Sequence, residues 1–209
     1  MNSIFALLLG YLLGSIPFGL ILTNLLGDGN LRQTGSGNIG ATNVLRTGRK
    51  GLALATLLLD AAKGAAAVLL IPRIFELDLL LIALAALGVI LGHCFPIWLR
   101  FKGGKGVATM LGVSFGIDWR IGLACALAWL AAALVTRISS VGGIVSAVAA
   151  PAVALALFAT DRHGTWETFG LLVFHAPTLA IMALVVIFQH RANIARLRAG
   201  TEPKIGQKG

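Results

Sequence analysis

The chain has 209 residues, of which 57% are hydrophobic and only 12% charged, with a mean hydropathy of +0.90; a water-soluble domain carries about 25% charged residues. Its formal net charge of +9 would suit a nucleic-acid partner, but that charge lies in short connections between apolar blocks. There it reads as membrane topology and phosphate chemistry, and nucleic acid is excluded.

Seven apolar segments follow one another, at about 3–26, 52–71, 79–99, 107–117, 121–136, 144–160 and 168–189. A bilayer's hydrocarbon core needs roughly 20 residues of helix, so six are long enough. The fourth is too short for an ordinary crossing and is expected to be tilted, re-entrant or sheltered by its neighbours. The first begins at the third residue with no basic stretch before it, so it is expected to remain as a span. The sequence therefore predicts an all-α, polytopic integral membrane protein of about seven transmembrane helices, forming one domain over 1–209. Cys94 and Cys125 sit in apolar runs without metal-ligand spacing.

Lysine and arginine set the expected orientation. Thirteen of them, from Arg32 through Arg137 to the C-terminal tail, fall in one set of connections, against only Arg73, Arg120 and Arg162 in the other. The positive-inside rule then places the N-terminus outside and the C-terminus in the cytoplasm.

The first cytoplasmic loop contains "GSGNIG", Gly35 to Gly40. Its spacing fits the dinucleotide fingerprint, but it lies between two membrane spans and no acidic residue follows about twenty positions on in a strand, so a nucleotide fold is rejected. Closely spaced glycines still let backbone N–H groups face an anion. Ser36, Gly37, Asn38, Thr42 and Asn43 surround the turn. A helix starting near Ala41 would put Thr42 and Arg46 on one face. The alternative is a polar loop that merely caps the second span through Ser36 and Asn38. Within that span, Asp60 and Lys63 are three residues apart and are expected to pair and lock helix packing.

His93 closes the third span, where a histidine either serves function or bonds a neighbouring helix. Beyond it lies "FKGGKG", Phe101 to Gly106. This is not a Walker loop. Gly103, Gly104 and Gly106 allow a nest of N–H donors, Lys102 and Lys105 add point charges, and a helix start follows directly. A plain juxtamembrane basic loop is the rival. In the tail, His190 and Asn193 share helical spacing and Glu202 lies beyond; the rival there is a basic amphipathic helix on anionic lipid. His163 and His175 fall toward the outer side and read as structural.

Absences narrow the chemistry. Carboxylates do not cluster as catalytic divalent metals on phosphate substrates require. No histidine is followed five positions later by aspartate. Glycines, hydroxyls, amides and cations on one side suit metal-free group transfer between a polar phosphate compound and a lipid-like donor. A small phosphate transporter is less suitable, because the spans show no internal repeat. A lipid-binding scaffold leaves the glycine and asparagine pattern unexplained.

Three segments, "GSGNIGATNVLRTGRKG" (35–51), "GHCFPIWLRFKGGKGVAT" (92–109) and "HRANIARLRAGTEPKIG" (190–206), resemble in order and spacing the signature segments of the acyl-phosphate:glycerol-3-phosphate acyltransferases, the PlsY family. The resemblance runs end to end. It implies a bacterial inner-membrane enzyme, working on the cytoplasmic side and functional as a monomer, that begins phospholipid synthesis. Such an enzyme moves an acyl group from acyl phosphate to the 1-hydroxyl of glycerol 3-phosphate, giving lysophosphatidate and phosphate. Its catalytic set would be Ser36, Arg46, Lys105, His190 and Asn193. Gly103 to Gly106 would form the glycerol 3-phosphate loop, and Glu202 belongs to the third motif. The wider substrate-binding set adds Gly37, Asn38, Thr42, Asn43, His93, Lys102 and Ser140, with no metal and no cofactor. One departure falls at "TRISSVGGI" (136–144), where a tyrosine is expected near Ile138 and a second hydroxyl near Gly143, so Ser140 alone is assigned there.

Overall fold

The computed structural model describes residues 1–26, 31–160 and 169–206. The described chain is helical throughout, and six stretches are long and apolar enough to cross a membrane, with Val107–Ile117 as a shorter apolar helix. These match the expected segments, including the undersized fourth. Large apolar side chains such as Leu8, Leu54, Leu58, Leu127 and Leu184 are exposed around the perimeter, as expected where lipid is the solvent.

The first segment is two helices, α1 (Asn2–Gly14) and α2 (Phe18–Leu25). Pro17 lies between them, and a proline has no N–H to continue the ladder. The carbonyl of Ile16 exposed by this break accepts a 2.7 Å hydrogen bond from Lys63 Nζ. Lys63 belongs to α4 (Lys50–Ile74), which follows a short α3 (Ala41–Arg46). Next come α5 (Leu79–Cys94), α6 (Val107–Ile117), α7 (Trp119–Thr136) and α8 (Ser139–Thr160). Asp78 and Asp118 cap α5 and α7 by accepting from first-turn N–H groups. A π turn, Leu171–His175, leads into α9 (Ala176–Gln189), and α10 (Arg191–Arg198) begins the tail. His175 is buried at the head of α9; His163 lies outside the described residues.

Helices pack as α1 on α5, α4 on α6, α7 on α8 and α8 on α9. Between membrane helices close approach depends on small residues rather than on hydrophobic driving force. The α4–α6 crossing shows this: a Cβ on Gly64 would collide with the Thr109 carbonyl, and one on Gly112 with that of Ala61. Gly112→Ala must push α6 off rigid backbone, and is expected to destabilise the fold by about 3 kcal/mol. Thermal unfolding in detergent checks this, and an unchanged melting temperature would show that the crossing is slack.

The polar segments share one end of the bundle. Arg32 donates to the Lys102 carbonyl at 2.8 Å, the Ile205 N–H donates to that of Arg137 at 2.7 Å, and Gln189 Nε2 donates to the Cys94 and Gly104 carbonyls at 3.0 and 3.2 Å. At the same end Tyr11 Oη donates to the Phe95 carbonyl at 2.8 Å and accepts from the Ile97 N–H at 3.0 Å. Helix α1 thus holds the turn that carries "FKGGKG".

Candidate active site

The loop before α3 is organised from within by Asn43, which is only 2% exposed. Its Nδ2 donates to the Leu31 and Thr34 carbonyls, at 3.1 and 2.9 Å, and its Oδ1 accepts from Ser36 N–H and Oγ, at 3.1 and 3.3 Å. All of its bonding capacity goes into shaping the loop. Gly35 takes a left-handed φ of +53°, and a Cβ there would strike both Asn43 and Arg46. Helix α3 does start at Ala41, with Thr42 and Arg46 on the face toward the site. Neither Ser36 nor Asn38 caps the second span: α4 begins at Lys50 after Arg49, without a side-chain cap bond, and Asn38 Oδ1 accepts instead from the Gly40 N–H at 3.0 Å.

The "FKGGKG" turn corrects one expectation. Gly103 and Gly104 do not offer their amides to an anion, because those N–H groups donate to the Cys94 and His93 carbonyls at 3.1 and 2.9 Å. The last carbonyls of a helix lack intrahelical partners, and the turn satisfies two of α5's. The N–H groups left for an anion among the described residues are those of Lys105 and Gly106 and those at the start of α6, which begins after Gly106 in a left-handed conformation.

In the tail, Glu202 joins three elements. Its Oε1 accepts from Ser140 Oγ at 2.7 Å and Asn193 Nδ2 at 2.5 Å, and its Oε2 pairs with Arg196 Nε at 2.7 Å. Burial alone would raise the Glu202 carboxyl pKa, but these three donors and the Arg196 charge hold it below the ordinary value. His190 is 2% exposed, with Nδ1 2.8 Å from the Val186 carbonyl. A carbonyl can only accept, so Nδ1 carries the proton and Nε2 is left as an acceptor. Burial is the main cause that pushes the imidazole down to about 4, and the Lys105 charge adds to it. His190 is therefore neutral at physiological pH.

These elements enclose a cavity of about 790 Å³, counting its open mouth. All five residues expected to be catalytic line it: Ser36, Arg46, Lys105, His190 and Asn193. So do Asn38, Thr42, Asn43, His93, Gly106, Ser140 and Glu202. Gly37, Lys102, Gly103 and Gly104 lie outside its wall, and Lys102 is exposed. Burial pushes the Lys105 amine down to about 8, with Arg196 and Arg46 adding to the effect and Glu202 opposing it.

Sequence reasoning missed several lining groups. Leu57, Val107, Ala108 and Trp129 add apolar lining from α4, α6 and α7, and nothing marks them among so many hydrophobic neighbours. Asp60 also lines the cavity; its signal was visible, a carboxylate within an apolar span, but it was read as packing. Gln189, which clamps the Gly104 carbonyl, carried a weaker signal as a polar residue ending a span.

Comparison with known proteins identifies the family. The sequence profile of the glycerol-3-phosphate acyltransferase family matches residues 4–200. The glycerol-3-phosphate acyltransferase of Ruegeria sp. (strain TM1040) is 55% identical over 200 residues, covering 96% of this chain and 92% of the relative. That of Erythrobacter litoralis (strain HTCC2594) is 54% identical over 203 residues, covering 97% and 95%. Among solved structures, the glycerol 3-phosphate form of PlsY (YgiH), an integral membrane glycerol 3-phosphate acyltransferase, superposes with a TM-score of 0.86 at 34% identity, covering 99% of this chain and 96% of that one. Its lysophosphatidic acid form gives 0.83 at 33% identity with the same coverage. With one profile spanning nearly the whole chain, close relatives matching end to end and the same helical architecture, the chain belongs to the PlsY family of membrane glycerol-3-phosphate acyltransferases.

Proposed function

We propose that this protein transfers a fatty acyl group from acyl phosphate to the 1-hydroxyl of sn-glycerol 3-phosphate, releasing 1-acylglycerol 3-phosphate and inorganic phosphate, without a metal ion. One observation carries the reading: Arg46, at the end of α3, and Lys105, in the glycine turn, are some sixty residues apart in sequence, yet face one cavity with Ser36, His190 and Asn193. The forms in which PlsY was solved, with glycerol 3-phosphate and with lysophosphatidic acid, support the same acceptor and product here.

An acyl phosphate is a mixed anhydride whose leaving group departs readily. The protein must therefore position two phosphates and stabilise the carbonyl oxyanion, and needs little acid catalysis. Arg46 grips one phosphate in bidentate fashion, while Lys105 and the N–H groups opening α6 hold the other. Ser36, Asn38, Thr42 and Asn193 orient the substrates and donate to the oxyanion. The apolar lining of Leu57, Val107, Ala108 and Trp129 receives the acyl chain.

The glycerol oxygen attacks the carbonyl carbon directly. Its bond to carbon forms as the bond from carbon to phosphate oxygen breaks, and phosphate leaves with the electron pair. His190 Nε2 accepts a hydrogen bond from the attacking hydroxyl. An imidazole titrating near 4 is too weak a base to keep that proton, so the leaving phosphate takes it.

The whole chain acts as one domain and as a monomer, in the bacterial inner membrane. The thirteen-to-three bias of basic residues supports a cavity that opens at the cytoplasmic face. Detergent-purified protein given palmitoyl phosphate and glycerol 3-phosphate with a chelator is expected to release phosphate and lysophosphatidate in equal amounts, and only when both substrates are present. Product from acyl coenzyme A but none from acyl phosphate would overturn the donor assignment.

A further inference from the structure

The cavity is rich in hydrogen-bond donors and poor in free acceptors. Glu202 already accepts from Ser140, Asn193 and Arg196. The side-chain oxygens of Asn43 and Asn38 accept from Ser36 and Gly40. Two strong acceptors remain on the wall, His190 Nε2 and the carboxylate of Asp60. Glycerol 3-phosphate brings two hydroxyl donors, one to be acylated and one to be left alone.

Asp60 lies in mid-span and is 3% exposed, as buried as Lys63 and His93 at 5% each. Its Oδ1 is ion-paired with Lys63 Nζ at 2.7 Å and lies 3.6 Å from His93 Nδ1. Among the described residues no hydrogen bond reaches Oδ2. The Lys63 ammonium is accounted for by its bond to the Ile16 carbonyl at the α1–α2 break. Asp60 is not: neutralising Lys63 requires a carboxylate nearby, but not one facing the cavity. His93 Nδ1 is buried without a partner beside it. An ionised carboxylate with unsatisfied lone pairs inside a membrane protein is costly, and such groups commonly mark function.

We infer that Asp60, backed by Lys63 and His93, accepts a hydrogen bond from the 2-hydroxyl of the acceptor, while His190 receives the 1-hydroxyl. The site would thereby select a phosphorylated vicinal diol over a phosphorylated simple alcohol. This rests on the reading of glycerol 3-phosphate as acceptor.

The test compares kcat/KM for glycerol 3-phosphate with that for 3-hydroxypropyl phosphate, which lacks only the 2-hydroxyl. A site built to bond a hydroxyl leaves its own polar group unpaired with the analogue, so wild type is expected to prefer glycerol 3-phosphate by roughly 10³-fold. Asp60→Asn is expected to reduce that preference to about tenfold, by slowing glycerol 3-phosphate while leaving the analogue nearly unchanged. If the single variant does not accumulate folded, Asp60→Asn with Lys63→Gln leaves no lone charge and carries the same readout. Equal loss on both acceptors would make Asp60 a counter-ion of Lys63 and overturn the inference. Wild type that uses both acceptors equally would also overturn it, with the acyltransferase reading intact. Wild type that acylates neither would instead overturn that reading.

Discussion

Lys105→Ala is expected to lower kcat/KM for glycerol 3-phosphate by about 10³-fold, because a phosphate in a partly desolvated site loses its charged partner, a loss of about 4 kcal/mol. The protein should fold normally, since among the described residues Lys105 makes no ion pair. Its titration adds a second signature. The amine is held at about 8 rather than its ordinary value, chiefly by burial and also by Arg196 and Arg46. A lysine is charged below its pKa, so the phosphate partner is present at neutral pH and disappears as pH rises through about 8. At subsaturating acceptor, activity should fall about tenfold per pH unit beyond that point. Lys105→Arg should be slower at pH 7, because a planar fork does not fit a point-charge slot, yet it should lack this alkaline fall. Stability should move the other way. Between pH 8 and the ordinary lysine range the unfolded chain binds this proton and the folded chain does not, so this group makes folding more favourable as pH rises. Opposite trends in rate and melting temperature would separate lost phosphate binding from unfolding. An alkaline fall in Lys105→Arg equal to that of wild type would assign it to another group.

Much of this site is legible in the sequence because its parts are local. A glycine turn followed by Thr42 and Arg46, a basic glycine turn before a helix, and His190 with Asn193 each declare themselves within a few residues. The six long spans and the short 107–117 segment follow from hydropathy alone. What escapes is what depends on helices crossing. Asp60 reaches the cavity because Gly64 and Gly112 let α4 and α6 approach closely, and no spacing within α4 encodes which face will meet the site. The break between α1 and α2 is signalled by Pro17 itself, but the bond from Lys63 to the Ile16 carbonyl that it permits is not. The destination of the Gly103 and Gly104 amides was misjudged for a related reason. Glycine spacing shows that a backbone can turn, but whether its N–H groups meet an anion or the end of α5 is decided by how the turn folds back.

That fold-back makes Gly104→Ala the second large effect expected. Gly104 does not have a positive φ, so alanine is conformationally permitted and the penalty is purely steric. A Cβ at this position would collide with Nε2 of the His93 imidazole. The loop cannot retreat easily, because the Gly104 N–H donates to the His93 carbonyl at 2.9 Å and its carbonyl accepts from Gln189 at 3.2 Å. Either His93 or the loop must move, and Lys105 is the next residue along. A 1 Å misplacement of a positioning group costs about 10²-fold in rate, so kcat/KM should fall by at least that factor while the protein remains folded. Gly51→Ala provides the control, since nothing lies within 4 Å of its added Cβ, and it should be active and no less stable. Combining Gly104→Ala with His93→Ala identifies which contact is responsible. If collision with the imidazole is the cause, removing the ring restores part of the activity, and the two substitutions together cost less than their sum. If the double variant is simply the product of both losses, Gly104 acts through the loop backbone alone and His93 must be assigned to the site on other grounds.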